Sequence, residues 1–110
     1  MSLNAKALLQ QMLAAAVPIL TTHAKDAEAF ASIEFKKIAD TIVSIQVMLQ
    51  AGQINDQQAG LLLEMQRSAA RSVLLTLKGL SLLTAEEAIN AALSVVRTVV
   101  NTAVKFPLIP

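Results

Sequence analysis

Few residues in this chain could do chemistry, so each can be weighed in turn. His23 is the only histidine. A lone imidazole can serve as a general base, but it needs an orienting partner and a nucleophile. Its neighbours Thr21, Thr22, Lys25 and Asp26 are ordinary residues of a solvated helix, so His23 reads as structural. Carboxylate-bridged di-metal bundles require Glu-x-x-His pairs with further inward Glu. Position 20, three before His23, is Leu, and that motif is absent.

Two pairs of acids lie close in sequence, Glu86-Glu87 and Asp26 with Glu28. Both open or flank helical patterns, where the positive end of the helix dipole favours carboxylates. Asn55-Asp56 with Glu64 has a superficial likeness to a calcium loop, without its Asp/Asn alternation or central Gly. There is no Walker loop, dinucleotide turn or serine elbow. With three glycines in all, a phosphate cradle of backbone amides is not expected. Cysteine is absent. That removes disulfides, thiol catalysis and thiolate metal sites. No catalytic, cofactor or metal residue is assigned, and the expectation is a protein that is not an enzyme.

Composition points elsewhere. Of the 110 residues, 55% are apolar and only 15% charged. Soluble domains average about 45–50% and about 25%, and a chain this short buries only about two-thirds of its unfolded surface. The surplus must meet either another subunit or lipid. Mean hydropathy is +0.56. The longest uncharged run, residues 7–24, just reaches the lower length limit for a span, about 17 residues. It is interrupted by Gln10, Gln11, Pro18 and His23 and is rich in Ala, so it reads as a buried amphipathic helix. The same interruptions, and the lack of a good small-x-small site, argue against a secretory signal. The formal net charge is +1, with nine basic residues scattered and three Phe as the only aromatics. Neither a phosphate-binding stripe nor a base-stacking platform is supported, so no nucleic acid is expected.

The elements follow from periodicity. Residues 4–17 are a helix of good formers, with Leu9, Leu13, Ala16 and Leu20 on one face. Pro18 predicts a kink or a break. Residues 22–51 read as one long helix. Phe35, Ile38, Ile42, Ile45 and Leu49 step alternately by three and four, a short heptad seam. Val43 and Val47 lie off that seam, and residues 41–55 carry no charge. A helix apolar nearly all round is buried on more than one side. Gly52 suits a left-handed helix end. Asn55 with Gln58 predicts a capping box that starts the next helix, residues 56–78. The short connection makes this an antiparallel hairpin.

The second hairpin helix is expected to turn Leu62, Met65, Ala69, Val73 and Leu77 inward, leaving Glu64, Arg67, Arg71 and Lys78 as a polar stripe. Gly60 costs about 1 kcal/mol relative to Ala, explained either by close approach of the first hairpin helix or by tolerance. Thr84 with Glu87 predicts a capping box opening a last helix, residues 85–105. Its dry face is Ile89, Leu93, Val96, Val100 and Ala103; its wet face is Glu87, Asn90, Ser94, Arg97, Asn101 and Lys105. Pro107 ends it, and the apolar tail 106–110 is expected to lie extended against a neighbour.

The expected architecture is therefore all-α in one domain, residues 1–110: a long antiparallel hairpin, a third helix and a Pro-kinked N-terminal segment, three or four helices, self-associating. The expected function is that of a small helical interaction or scaffold protein acting as a homo-oligomer in the cytoplasm, with another helical protein as a further partner. Phe35, Ile38, Ile42, Val43, Ile45, Val47, Leu49, Leu62 and Met65 are the candidate interface. A membrane-surface or pore-forming protein is the alternative, though no Trp/Tyr belt or flanking basic cluster supports it. A carrier holding an apolar ligand in a cavity lined by Met12, Met48 and Met65 is the third reading.

Overall fold

Among the described residues there are four helices: α1 (Ala5–Thr21), α2 (Ala27–Gln50), α3 (Asp56–Leu74) and α4 (Leu82–Val104). The computed structural model describes residues 2–110, and among the described residues there is no strand; Met1 lies outside them. The all-α expectation holds, and the N-terminal segment is a full fourth helix. α1 packs along both α4 and α2, α2 carries α3, and α3 meets α4 through a thinner contact.

Asn4 caps α1 by accepting from the Ala7 amide at 3.0 Å. Leu8, Met12, Ala16 and Leu20 then recur every fourth residue and are all buried. Leu9 and Leu13, expected at the centre of this face, are only half-buried at its edge. Pro18 lies inside the last turn without ending the helix. Proline deprives the carbonyl four residues earlier of its donor. Here that carbonyl belongs to Ala14, and both Ala14 and Pro18 are exposed, where water can take the missing bond. Ala16 and Leu20 are buried on either side of Pro18, and the helix runs through it to Thr21. Thr21 and Thr22 hydroxyls donate back to the Val17 and Pro18 carbonyls at 2.9 and 2.8 Å.

The helix expected over residues 22–51 begins five residues later, at Ala27. The amides of His23 and Ala24 both bond the Leu20 carbonyl, closing α1 in a tight turn. No Gly or Pro marks this turn. Burial of Ala24 and Ala27 fixes it instead, together with the neighbouring connection. Gly79, at φ +90, approaches so closely that a Cβ there would sit 2.8 Å from the His23 carbonyl oxygen.

The hairpin tip matches its expected chemistry. Gly52 has φ +71. The Asn55 side chain accepts from the Gln58 amide at 2.8 Å, and Gln58 returns the bond to the Asn55 amide at 2.9 Å. Gly60 has nothing within 4 Å of where a Cβ would stand, so no close approach of α2 explains it and tolerance does.

α3 ends at Leu74 rather than residue 78, because the Thr76 hydroxyl and amide both turn back to the Val73 carbonyl. Its inward face is rotated from the expected one. Ala59, Leu63, Ala70 and Leu74 are buried, whereas Met65 and Ala69 are exposed and Leu62, Val73 and Leu77 lie at the edge. α4 starts earlier than residue 85. Ser81 is its N-cap, accepting from the Thr84 amide at 3.2 Å, and Thr84 becomes a buried first-turn residue. Of its expected dry face Ile89, Leu93, Val96 and Val100 are buried, while Ala103 in the last turn is half-buried.

Lys105 ends α4 in the left-handed conformation, φ 65. The tail then folds back on its own helix. Asn101 clasps Ile109 twice, donating to its carbonyl at 2.8 Å and accepting from its amide at 2.9 Å. Leu108 and Ile109 are thereby buried. At the other end, the Leu3 amide donates to Gln46 at 2.8 Å, tying the segment before α1 to α2.

Candidate functional site

The nine candidate interface residues separate into three groups. Phe35, Ile38, Ile42 and Ile45 are fully buried in the chain's own core. They offer no surface to a partner of the folded chain, which corrects the expectation for these four. The reason is that α1 covers the seam from within the same chain, satisfying the heptad-like pattern intramolecularly. Val43, Leu49 and Leu62 are half-buried against the core. Val47 and Met65 remain open, at 57% and 65% exposure.

The open residues gather along the outer seam of the hairpin. α3 presents Leu61, 60% exposed, and Met65 one turn later on its outer face. α2 presents Val47 beside Met48, which is half-buried. Between the helices runs a groove of about 270 Å³ lined by Met48, Leu62 and Met65, with Asp40, Thr41, Ser44 and Gln66 along its rim. Sequence reasoning missed Leu61. The run Leu61-Leu62-Leu63 places an apolar residue on every side of α3, so hydropathy cannot say which one faces out.

The three methionines do not share a cavity. Met12 is fully buried in the core, while Met48 and Met65 line the outer groove. The cavity expected between them is thus filled on the Met12 side by ordinary core packing.

Six charged groups are held in ion pairs. Glu34 is buried on α2 and pairs with Lys37 one turn on, at 3.1 Å. Lys36 and Asp40 form an exposed pair at 2.9 Å. Arg71 of α3 pairs across to Glu86 of α4. The hydrogen bond that Arg71 donates to Glu86, and then the negative charge of that carboxylate, hold the Arg71 guanidinium above its ordinary range. Glu86 is therefore drawn to α3 rather than serving a helix start. Arg67 similarly reaches Asn90 of α4 at 2.8 Å. The stripe expected to be simply solvated is what joins α3 to α4. His23 is exposed in the α1–α2 turn. Among the described residues, no group of three or more His, Cys, Asp or Glu is placed to hold a metal, and no helix is long and apolar enough to cross a membrane.

Compared with known protein families, characterised proteins and solved structures, the chain matches none.

Proposed function

We propose that this chain is a non-enzymatic helical interaction protein that works by associating with further copies of itself through the outer seam of α2 and α3. The observation that carries the reading is the groove lined by Met48, Leu62 and the exposed Met65, with Val47 and Leu61 exposed on the same two helices. Single exposed apolar residues need no explanation, but neighbouring ones around an apolar groove mark interaction surfaces. Lack of charge favours a second copy as the occupant. Residues 41–55 contain no acid or base. The one acid on the groove's rim, Asp40, is paired with Lys36, so a two-fold contact that places the patch against itself meets no unpaired charge there. Two flexible methionines at the centre suit such repacking. The acids of the bundle support a non-enzymatic role in so far as Glu34, Asp40 and Glu86 each hold a neighbouring cation.

Light scattering of the parent chain and of a Val47→Asp/Met65→Asp variant tests this. The parent is expected as a dimer or larger, and the variant as a monomer with unchanged helicity. A parent that stays monomeric at micromolar concentration overturns the reading. Flotation of the parent with liposomes would replace it with the membrane-surface alternative, whose motive is the mean hydropathy of +0.56.

A further inference from the structure

Beyond Val104 the chain reverses through Lys105, Phe106 and Pro107. Lys105 takes the left-handed conformation, φ 65. Phe106 is half-buried, and the Leu108 amide closes a tight turn on the Phe106 carbonyl at 2.8 Å. Leu108 and Ile109 are then buried, and Asn101 holds the Ile109 backbone by both its amide and its carbonyl. We propose that this tail, residues 106–110, is an exchangeable arm: two copies of the chain trade tails, each α4 clasping Leu108 and Ile109 of the other.

The hinge is where the backbone is strained. Among the described residues three have a positive φ. Gly52 and Gly79 are two of them and have no Cβ to clash. The third is Lys105, whose Cβ crowds the carbonyl that follows it. Strained backbone of this kind gathers at segments that switch. Short strained hinges favour exchange, because opening the hinge releases the strain while the arm regains its contacts on the other copy. The groove does not need the tail to come from its own chain. Asn101 pairs with main-chain groups of Ile109, as a neighbouring strand would. Ile109 and Pro110 line one small space with Leu93 and Arg97 of α4 and Arg67 of α3, and Arg97 reaches Pro110 at 3.4 Å. All these groove residues precede the hinge, so a tail from another copy meets the same partners.

With Lys105 extended rather than left-handed, residues 106–110 reach roughly 17 Å past α4, enough to cross to an adjacent copy. A tail on so short a hinge meets its own groove at an effective concentration on the order of millimolar. Exchange therefore sets in well above micromolar chain, and in dilute solution each tail stays on its own α4.

The test mixes isotope-labelled and unlabelled full chain in equal amounts at about 1 mM. Isotope-filtered nuclear Overhauser spectra then read contacts between Asn101 of labelled copies and Ile109 of unlabelled ones. Such contacts are expected, and their ratio to the within-copy contact across a dilution series gives the dissociation constant. Lys105→Gly relieves the hinge and should weaken exchange about fivefold per hinge, about 25-fold for the two-tailed dimer. Lys105→Val, stiffer still in that conformation, should strengthen it. Contacts confined to single copies at every concentration, or a cross-copy contact that Lys105→Gly leaves as strong as in the parent, overturn the proposal. The α2–α3 seam contains neither Asn101 nor Ile109 and cannot produce this contact. Failure of exchange thus leaves the seam reading standing, and failure of the seam leaves exchange standing.

Discussion

Replacing Ile42 by Ala separates a core position from an interface position on α2. Ile42 is fully buried beside Phe35, Ile38 and Ile45 in the core cluster. The change removes three carbons, each contributing about 0.8 kcal/mol when buried. The cavity left behind adds to this, because packed neighbours relax only in part, and the total comes to about 3–4 kcal/mol. That is a large fraction of the roughly 5–15 kcal/mol that holds a domain together. At about 4 °C per kcal/mol for a chain of this size, melting should fall by about 12–16 °C. Circular dichroism melting and light scattering, run on the same samples at a temperature where the variant is folded, give the two readouts. The variant should melt early and keep the parent's mass. Met65→Ala, on the exposed seam, should do the reverse: stability within about 0.5 kcal/mol of the parent, with reduced mass. An Ile42→Ala variant that melts like the parent, or that loses mass without losing stability, refutes the assignment of this seam to the core.

Two further outcomes follow from the connections. Asn55→Ala removes the side-chain acceptor of the Gln58 amide, one of the two bonds of the α3 capping box, and should cost about 1 kcal/mol in chemical denaturation, leaving assembly unchanged; loss of assembly in a fully folded variant would mean the hairpin tip is more than a cap. Gly52→Ala and Gly79→Ala both force a side chain into a left-handed backbone, at about 1–2 kcal/mol. Only Gly79 also meets the His23 carbonyl, so its variant should be clearly the less stable of the two. Equal losses would show that the two connections can move apart freely.

Much of this architecture was legible in the sequence because it depends on neighbours a few residues apart. The Asn55–Gln58 capping box and the left-handed Gly52 are local hydrogen-bonding and steric facts. The dry face of α4 follows from a clear 3.6-residue period, and the all-helical class from long runs of good formers. The candidate site was legible only in part. Val47 and Met65 were picked out from apolar excess and are exposed; Leu61 was not, because Leu61, Leu62 and Leu63 circle the helix.

What the tertiary structure decided is which of several locally equivalent choices wins. α2 is apolar around most of its surface, so period alone leaves open which side is core and which is free. Packing of α1 along it buried Phe35, Ile38, Ile42 and Ile45 and left the outer seam uncovered. Ser81 and Thr84 are both competent N-caps. Ser81 takes the role where Thr84 is buried and Glu86 is held by Arg71, an acid–base pair joining two helices that a capping pattern cannot register. The start of α2 at Ala27 has the same origin, since its turn is held by burial of Ala24 and Ala27 and by contact with the loop at Gly79. Residues near in sequence set which segments become helices. Residues distant in sequence but adjacent in space set which faces of those helices stay open, and with them the groove between α2 and α3.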